Sequence, residues 1–241
     1  MAIVYTKAEL LSKVDEWLFP EKVKLLYSQD FVKYTGITSD TKEKYTEVIA
    51  GRLLSNLDAF NRIEQIRRES SYKTTGHEWK AIDPTSPRSE EQIARSMMGH
   101  TYPHIGKIID YQTPLKNSMS DTAGKIDLLS WNEEKNNAYI IELKVPRADD
   151  KARQETLLHC ILQIETYSRI LDFQKLKDDF ELPAKTDLRK AVLVYRLSNP
   201  HIQVHDTNIK KLMKALGVDM FLMGEDNKVI DEHYYFEELK E

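Results

Sequence analysis

Three charged residues interrupt two apolar segments of the chain between Gly124 and Pro146. Asp127 stands in I-D-L-L, and Glu142 and Lys144 stand in Y-I-I-E-L-K-V. Charged side chains are seldom buried unless they are paired or bind a metal, so their place in predicted core strands indicates a function. Glu142 and Lys144 are two residues apart and therefore project from one face of their strand. If I-D-L-L forms the preceding strand of a hairpin, Asp127 lies beside Glu142.

The chemistry that these groups suit is phosphodiester hydrolysis. Two carboxylates with nearby water form a hard oxygen site, which favours Mg²⁺ or Mn²⁺ over zinc or copper. A divalent ion there would bridge a phosphate oxygen, lower the pKa of a bound water and stabilise the charge that develops during in-line attack. Lys144 would orient that water. The group contains neither the nucleophile–base pair of acyl transfer nor a Gly-rich cofactor loop.

The neighbouring elements separate this E-x-K sequence from its other occurrences. Those lie near a loop, in a turn and in the acidic tail, at Glu78–Lys80, Glu133–Lys135 and Glu238–Lys240. Only Glu142–Lys144 lies in a predicted strand that follows G-x-x-D and precedes a helix. The neighbouring strand and helix therefore distinguish this sequence, because the E-x-K spacing alone is common.

The helix after this strand carries a polar stripe opposite a stripe of Leu and Ile. Its members are Thr156, His159, Gln163 and Tyr167. Such a stripe, taken alone, is typical of an exposed helix face. Because this helix follows the strand of Glu142, Gln163 and Tyr167 are expected to reach the site.

A further acid lies on the helix predicted upstream, from Ser89 through Met98. Glu90 shares its face with the apolar residues Ile93, Ala94 and Met97, whereas Glu91 projects toward solvent. An acid on a buried helix face is a candidate for the same site.

The order of the predicted elements gives the fold class. Residues 6 to about 72 show helical patterns, including one stripe from Tyr45 to Ile63, and a loop rich in turn residues follows them. A strand, a hairpin, a helix, a strand, a helix and a strand come next. This order predicts an α/β domain over residues 89–241, with a mixed central β-sheet flanked by helices, preceded by a helical region over residues 1–75.

Composition limits the partners and the compartment. The 241-residue chain has a formal net charge of −4, so contact with nucleic acid requires a local basic patch. Cys160 is the only cysteine, which excludes a disulfide within the chain and a multi-cysteine zinc site, and favours the reducing cytoplasm. No segment approaches the roughly 18 apolar residues of a membrane span, so no membrane partner is expected.

At these motifs the chain resembles the PD-(D/E)XK nuclease superfamily, also called restriction-endonuclease-like. The similarity lies in G-K-I-D-L-L, then Y-I-I-E-L-K-V, then Q-I-E-T-Y, which resembles the Q-x-x-x-Y helix of the RecB-like branch. The resemblance covers roughly residues 89 to 197. The N-terminal helices and the C-terminal tail have no counterpart in it.

The resemblance implies a role for each residue of the two strands. Asp127 and Glu142 would be metal ligands, with the carbonyl of Leu143 as a third, and Lys144 would be the catalytic lysine. The ion would be Mg²⁺ or Mn²⁺, and an iron–sulfur cluster of the kind some members hold is excluded by the single cysteine. The chain departs from the family at Ile126, where the superfamily often has proline.

The resemblance also implies residues outside these strands. Gln163 and Tyr167 would support the site or contact the nucleic-acid backbone. Family members often add an acid from the helix before the first strand, which Glu90 fits and for which Glu91 is the alternative. RecB-like enzymes use an upstream histidine as well. The two candidates for it are His100 and His104.

The predicted activity is therefore metal-dependent hydrolysis of phosphodiester bonds by an endo- or exonuclease, with DNA as the expected substrate. One alternative is a nuclease fold without catalysis that binds nucleic acid or protein. Another is a structural ion pair between Asp127 and Lys144, which explains the residues less well because a buried pair adds little net stability. The sequence leaves open RNA cleavage, substrate specificity, a role in defence or repair, and a homodimer.

Overall fold

The structure, a computed structural model, describes residues 4–83, 89–116, 124–145, 155–224, 226 and 228–235. Within these ranges, N-terminal helices precede a mixed seven-stranded sheet that packs against further helices. This arrangement confirms the predicted α/β class, with its mixed sheet, its flanking helices and its helical N-terminal region.

The described residues form nine α-helices and two short 3-10 helices. The α-helices are α1 (Lys7–Trp17), α2 (Pro20–Val23), α3 (Asp30–Lys33), α4 (Tyr45–Leu54), α5 (Ser89–Met97), α6 (Leu157–Ile170), α7 (Phe173–Asp179), α8 (Asn199–Gln203) and α9 (Thr207–Leu216). The 3-10 helices span Leu26–Ser28 and Leu57–Arg62. None of the helices in the described ranges has the length and apolar character that a membrane crossing requires.

The strands lie in the sheet in the order in which they occur in the chain. They are β1 (Thr101–Tyr102), β2 (Gly106–Pro114), β3 (Lys125–Asn132), β4 (Asn137–Lys144), β5 (Asp187–Tyr195), β6 (Val218–Met223) and β7 (Val229–Tyr234). Strands β1 to β4 pair antiparallel, β4, β5 and β6 pair parallel, and β7 returns antiparallel to β6. Parallel neighbours need a crossover connection, and α6 and α9 lie in the two connections concerned.

Alternate residues of β4 face two different buried clusters. Ile140 joins the cluster that includes residues of α6, whereas Ile141 and Leu143 join the cluster that includes residues of α5. Glu142 and Lys144 are two and four residues beyond Ile140, so they lie on the α6 face. The predicted shared face of the two charged residues therefore agrees with the structure.

The N-terminal helices bury their apolar residues against the same face. Val14 of α1 and Phe60 belong to one buried cluster with Ile164 of α6 and Val192 of β5. The regions predicted as residues 1–75 and 89–241 thus share one core. Their division into two domains remains a prediction about independent folding.

The start of α9 is capped by a residue that is distant in the sequence. Asp206 occupies the N-cap position, but its side chain makes no capping hydrogen bond and instead lies 2.7 Å from Lys44 Nζ. The carboxylate of Glu47 on α4 accepts the backbone N–H groups of Asn208 and Ile209, at 2.9 and 3.0 Å. A residue from α4 therefore satisfies the first turn of α9.

The long helix expected from Tyr45 to Ile63 is wrong beyond Leu54. The side-chain amide of Asn56 donates to the carbonyl of Arg52 at 2.8 Å, and Asn56 itself adopts a non-helical φ of −139°. Asparagine commonly competes with the helical backbone in this way. The apolar pattern continues into the 3-10 helix Leu57–Arg62, so periodicity persists although the α-helix has ended.

Candidate active site

The β3–β4 hairpin places Asp127 and Glu142 side by side. The last paired residues of the ladder are Leu128 and Ile141, and the two acids come directly after that pair. Beyond this pair, the side chain of Asp127 replaces the backbone carbonyl as acceptor, because the N–H of Leu143 donates to Oδ2 of Asp127 at 3.0 Å. The hairpin predicted from the sequence is thus present, with Asp127 bonded across it.

Asp127 receives its second hydrogen bond from a residue that the sequence did not single out. Gln112 of β2 donates through Nε2 to Oδ1 of Asp127 at 2.8 Å. Gln112 has a positive φ of 50°, which for a non-glycine residue is uncommon and re-aims the side chain. No periodic pattern marks such a residue before the backbone is known.

Glu142 and Lys144 form a buried ion pair on the α6 face. Glu142 has no exposed surface, and Lys144 Nζ lies 2.6 Å from its Oε1. Lys144 is thus the partner of Oε1, whereas Oε2 accepts no hydrogen bond from the described part of the chain. A fully buried carboxylate oxygen without a donor is rare.

Glu90 reaches this pair around the C-terminal end of β4. Its Oε1 accepts the N–H of Val145 at 3.4 Å and lies 3.9 Å from Lys144 Nζ. Glu91 instead acts on Tyr111, whose pKa is raised by burial and, to a smaller extent, by the Glu91 carboxylate. Of the two acids proposed from the helix, the structure brings Glu90 to the lysine.

Burial and the excess of acids shift the pKa values of the group. Burial raises the pKa of Asp127 to about 6, and the charge of Lys144 opposes the shift. Burial and the nearby Asp127 raise the pKa of Glu142 well above its usual range. Burial would lower the pKa of Lys144, but Glu142, Glu90 and Asp127 together hold it well above its usual value. If all four groups ionise, two negative charges remain uncompensated.

The polar stripe of α6 lies against these charges at two of its members. Gln163 donates through Nε2 to the hydroxyl of Tyr167 at 3.2 Å, and Tyr167 is buried. Burial and the neighbouring Glu142 raise the pKa of Tyr167. Thr156, predicted as part of the stripe, is the N-cap of α6 and accepts the N–H of His159 at 3.0 Å.

His159, the remaining member of the stripe, pairs with Glu155. Its Nδ1 bonds the Glu155 carboxylate, which accepts and therefore leaves Nδ1 as the donor. Burial lowers the pKa of His159 while Glu155 opposes the shift, and the charges of Lys144 and Lys33 lower it further. The positive charge of Lys144, the candidate catalytic lysine, therefore acts on this pair.

The two upstream histidines lie elsewhere. The carbonyl of His100 accepts the N–H of Ile108, which pairs with Ser130 of β3, and the ring of His104 is 4.2 Å from that of His233. The side chain of Asn132, the last residue of β3, donates to the carbonyl of His104 at 2.8 Å. Since Asn132 ends the strand that begins near Asp127, His104 lies at the far end of the hairpin from the carboxylates.

The residues present fit a hard divalent ion. Within the described ranges, no three His, Cys, Asp or Glu side chains are grouped closely enough to hold a metal by themselves. Asp127 and Glu142 nevertheless offer carboxylate oxygens, and Oε2 of Glu142 accepts no hydrogen bond from the described residues. The N–H and carbonyl of a strand residue point to the same side, so the carbonyl of Leu143 also faces β3. Two carboxylates and one carbonyl are donors that Mg²⁺ and Mn²⁺ prefer.

Comparisons of the whole chain with protein-family models, with curated proteins and with solved structures find no match. The resemblance to PD-(D/E)XK nucleases therefore rests on the three sequence motifs. Asp127, Glu142 and Lys144 come together at one end of the hairpin, with Glu90 beside the lysine and Gln163 and Tyr167 on the facing helix.

Proposed function

We propose that this protein is a Mg²⁺- or Mn²⁺-dependent nuclease that hydrolyses phosphodiester bonds, with DNA as its substrate. One observation carries the proposal: Glu142 is fully buried beside Asp127, with Lys144 against one of its oxygens and no hydrogen bond from the described residues to the other. A protein core retains such a costly group when a ligand completes it. A divalent cation would neutralise the excess negative charge of the acids.

Each residue of the group then has a chemical task. Asp127, Glu142 and the carbonyl of Leu143 would hold the ion, which when bound supplies Lewis-acid activation of water and of a phosphate oxygen. Lys144 would orient the attacking water and stabilise negative charge on the phosphate, as an ammonium held in place by Glu142 and Glu90. The attacking water would release its proton to solvent, and the leaving oxygen would take one from solvent.

The direct test is cleavage of single- and double-stranded DNA with Mg²⁺ or Mn²⁺. Asp127→Asn and Lys144→Met keep the size of each side chain and remove its charge, and each is expected to lower cleavage by at least about a hundredfold. Glu133→Ala is the matched control, because Glu133 belongs to the exposed E-x-K sequence in the turn of the same hairpin. Cleavage by the wild type that survives both substitutions would reject the proposal.

Metal binding provides a second test that does not require cleavage. Calorimetric titration with Mn²⁺ is expected to show binding to the wild type and its loss in Glu142→Gln, which replaces the buried carboxylate by a neutral amide of the same shape. Equal binding by the two proteins would remove Glu142 from the metal site and leave it as the partner of Lys144 alone.

A second candidate function follows from the position of Lys144. Its ammonium lies within 4 Å of both Glu142 and Glu90 and so partly compensates these acids without a metal. A nuclease fold in that state would bind nucleic acid or protein without cleavage. Binding of DNA by the wild type, with neither cleavage nor Mn²⁺ uptake, would favour this candidate over the enzyme.

A further inference from the structure

A tyrosine of the N-terminal helical region contacts the polar stripe of α6. Tyr27 lies in the 3-10 helix Leu26–Ser28, and its ring meets that of Tyr167 edge to face, with centroids 5.9 Å apart and an interplanar angle of 79°. Burial raises the pKa of Tyr27 and the hydroxyl of Tyr167 opposes the shift, which places the two hydroxyl groups next to each other. The ring of Tyr27 also stacks on His159, at 6.0 Å and 16°. Tyr27 therefore braces two residues of α6 at once.

Tyr167 in turn presses its hydroxyl against the backbone that leads into β3. A Cβ atom placed on Gly124 would lie 2.0 Å from Oη and 2.6 Å from Cζ of Tyr167. The phenol tip thus fills the space that the missing side chain of Gly124 leaves open. The carbonyl of Gly124 accepts the N–H of Leu115 at 3.1 Å, which joins this point to the end of β2.

This contact lies close to the first acid of the candidate site. Gly124 directly precedes β3, and Asp127 is the third residue of that strand. Asp127 must present Oδ2 to the N–H of Leu143 and Oδ1 to Gln112, so its backbone tolerates little displacement. Any group that fixes the start of β3 thereby fixes the carboxylate.

We propose that Tyr27 is a positioning residue of the site, which holds the hydroxyl of Tyr167 against Gly124 and so sets the place of Asp127. The expected effect of Tyr27 on cleavage rests on the proposed nuclease function, whereas its expected effect on the position of β3 does not. Tyr27 acts through Tyr167. The N-terminal helices, which have no counterpart in the resemblance, would in this way complete the active site.

Removal of a single oxygen distinguishes this role from simple packing. Tyr27→Phe keeps the ring that contacts Tyr167 and His159 and deletes only the hydroxyl. Tyr34→Phe is the matched control, because Tyr34 also belongs to the N-terminal region and its hydroxyl, like that of Tyr167, fills the space beside a glycine. A Cβ on Gly36 would lie 2.3 Å from Tyr34 Oη.

The first measurement is native-state hydrogen exchange in the full chain. Tyr27→Phe is expected to speed exchange of the Leu143 and Leu115 amides by about tenfold, because both bonds depend on the start of β3. The amide of Leu193 on β5 and the whole of the Tyr34→Phe variant are expected to exchange as in the wild type. Unchanged exchange at both Leu143 and Leu115 would overturn the proposal, whether or not the protein cleaves DNA.

The second measurement is the kinetics of DNA cleavage. Tyr27→Phe is expected to lower kcat on the order of tenfold with KM unchanged, since a displaced Asp127 affects the reacting geometry more than substrate binding. Because Tyr27 acts through Tyr167, the double variant Tyr27→Phe/Tyr167→Phe should match Tyr167→Phe alone. Additive losses in the double variant would contradict that route. Absence of cleavage by the wild type would reject the nuclease function and leave the exchange result to decide the positioning role.

Discussion

At the residue scale, the site concentrates acids where the fold offers them few donors. Glu142 has no exposed surface, its Oε2 accepts no hydrogen bond within the described chain, and its pKa is raised well above its usual range by burial and by Asp127. Stability alone would favour an apolar residue at this position, since buried ion pairs are often replaceable without loss. The arrangement is better explained by a ligand than by folding.

The pKa of Asp127 predicts how stability without metal depends on pH. Burial raises this pKa to about 6 from an unfolded-state value of about 3.9, so the folded state holds the proton more tightly. The resulting stabilisation is fully present below about pH 4 and is lost as the pH rises through about 6, and it amounts to about 3 kcal/mol.

Urea unfolding of the wild type and of Asp127→Asn at about pH 4 and about pH 7, with metal chelated, measures this effect. The wild type is expected to lose up to about 3 kcal/mol more than the variant between the two conditions. Parallel losses in the two proteins would show that Asp127 ionises in the folded state as easily as in the unfolded state.

Lys33 is the exposed cation of α3 whose charge acts on Glu155 and His159 at the edge of the site. If nucleic acid passes this edge, Lys33 contacts a phosphate. Lys33→Ala is then expected to weaken binding of all DNA sequences a few-fold and to reduce the slope of log K against log salt by about 1. Lys24→Ala, a change of another exposed lysine in the same region, is the control for general charge.

Fluorescence anisotropy with a catalytically inactive variant, at several salt concentrations, measures both quantities. An equal slope for Lys33→Ala and Lys24→Ala would place the nucleic acid elsewhere on the surface.

The sequence predicted the residues of the hairpin better than the residues that support them. Asp127, Glu142 and Lys144 were recognisable because a charge inside an apolar strand is anomalous in its local context. Tyr27 and Gln112 carry no such signal. They reach the site only through tertiary packing, and a tyrosine in a helical pattern or a glutamine in a strand is ordinary by itself.

At the element scale, α6 is the helix that faces the strand of Glu142, and its first turn is tied to the N-terminal helices. The hydroxyl of Thr156 accepts the N–H of His159 at 3.0 Å and donates to the carbonyl of Val32 on α3 at 2.9 Å. Thr156 is fully buried. One side chain thus caps the helix and satisfies a carbonyl of another element.

Thr156→Ala is therefore expected to lower the free energy of unfolding by about 2 to 3 kcal/mol, because it removes an N-cap and leaves the buried Val32 carbonyl without its donor. Thr156→Ser keeps the hydroxyl and should lose less than half as much. Urea unfolding of both variants measures the difference. If serine costs as much as alanine, the methyl group of Thr156 and not its hydrogen bonds stabilises this junction.

The predictions of secondary structure were confirmed where apolar periodicity coincided with burial, and they were wrong where a side chain changed the course of the backbone. The strands β3, β4, β5 and β6 and the helix α6 follow from continuous apolar runs and from one apolar stripe. The end of α4 at Leu54 depends on Asn56, whose amide bonds the backbone. The cap of α9 depends on Glu47, which lies far away in sequence. The periodicity of apolar residues registers neither contact, because the first is a local polar bond and the second joins residues far apart in the sequence.

At the scale of the whole molecule, the described N-terminal helices and the sheet behave as one packed unit. Leu10 and Val14 of α1 share a buried cluster with Ile161 of α6 and Leu212 of α9. A division near residues 75–88 was predicted because a loop rich in turn residues lies there. Such a loop marks a change of element order, and it marks a domain boundary only if few contacts cross it.

The last prediction concerns cooperativity of this unit. Glu47 of α4 accepts two backbone N–H groups in the first turn of α9, so Glu47→Ala removes a cap and a link between the two parts of the chain. It is expected to lower the free energy of unfolding by about 1 to 2 kcal/mol. Because the core is shared, probes in both parts should report that loss equally.

Trp17 lies in α1 and Trp131 in β3. Two variants that each retain one of these as the single tryptophan allow urea unfolding to be followed separately in each part. Coincident transitions, shifted together by Glu47→Ala, are expected. A Trp17 transition at lower urea than that of Trp131 would show that the N-terminal helices unfold on their own, and the predicted two-domain division would then describe the molecule better than a single cooperative core.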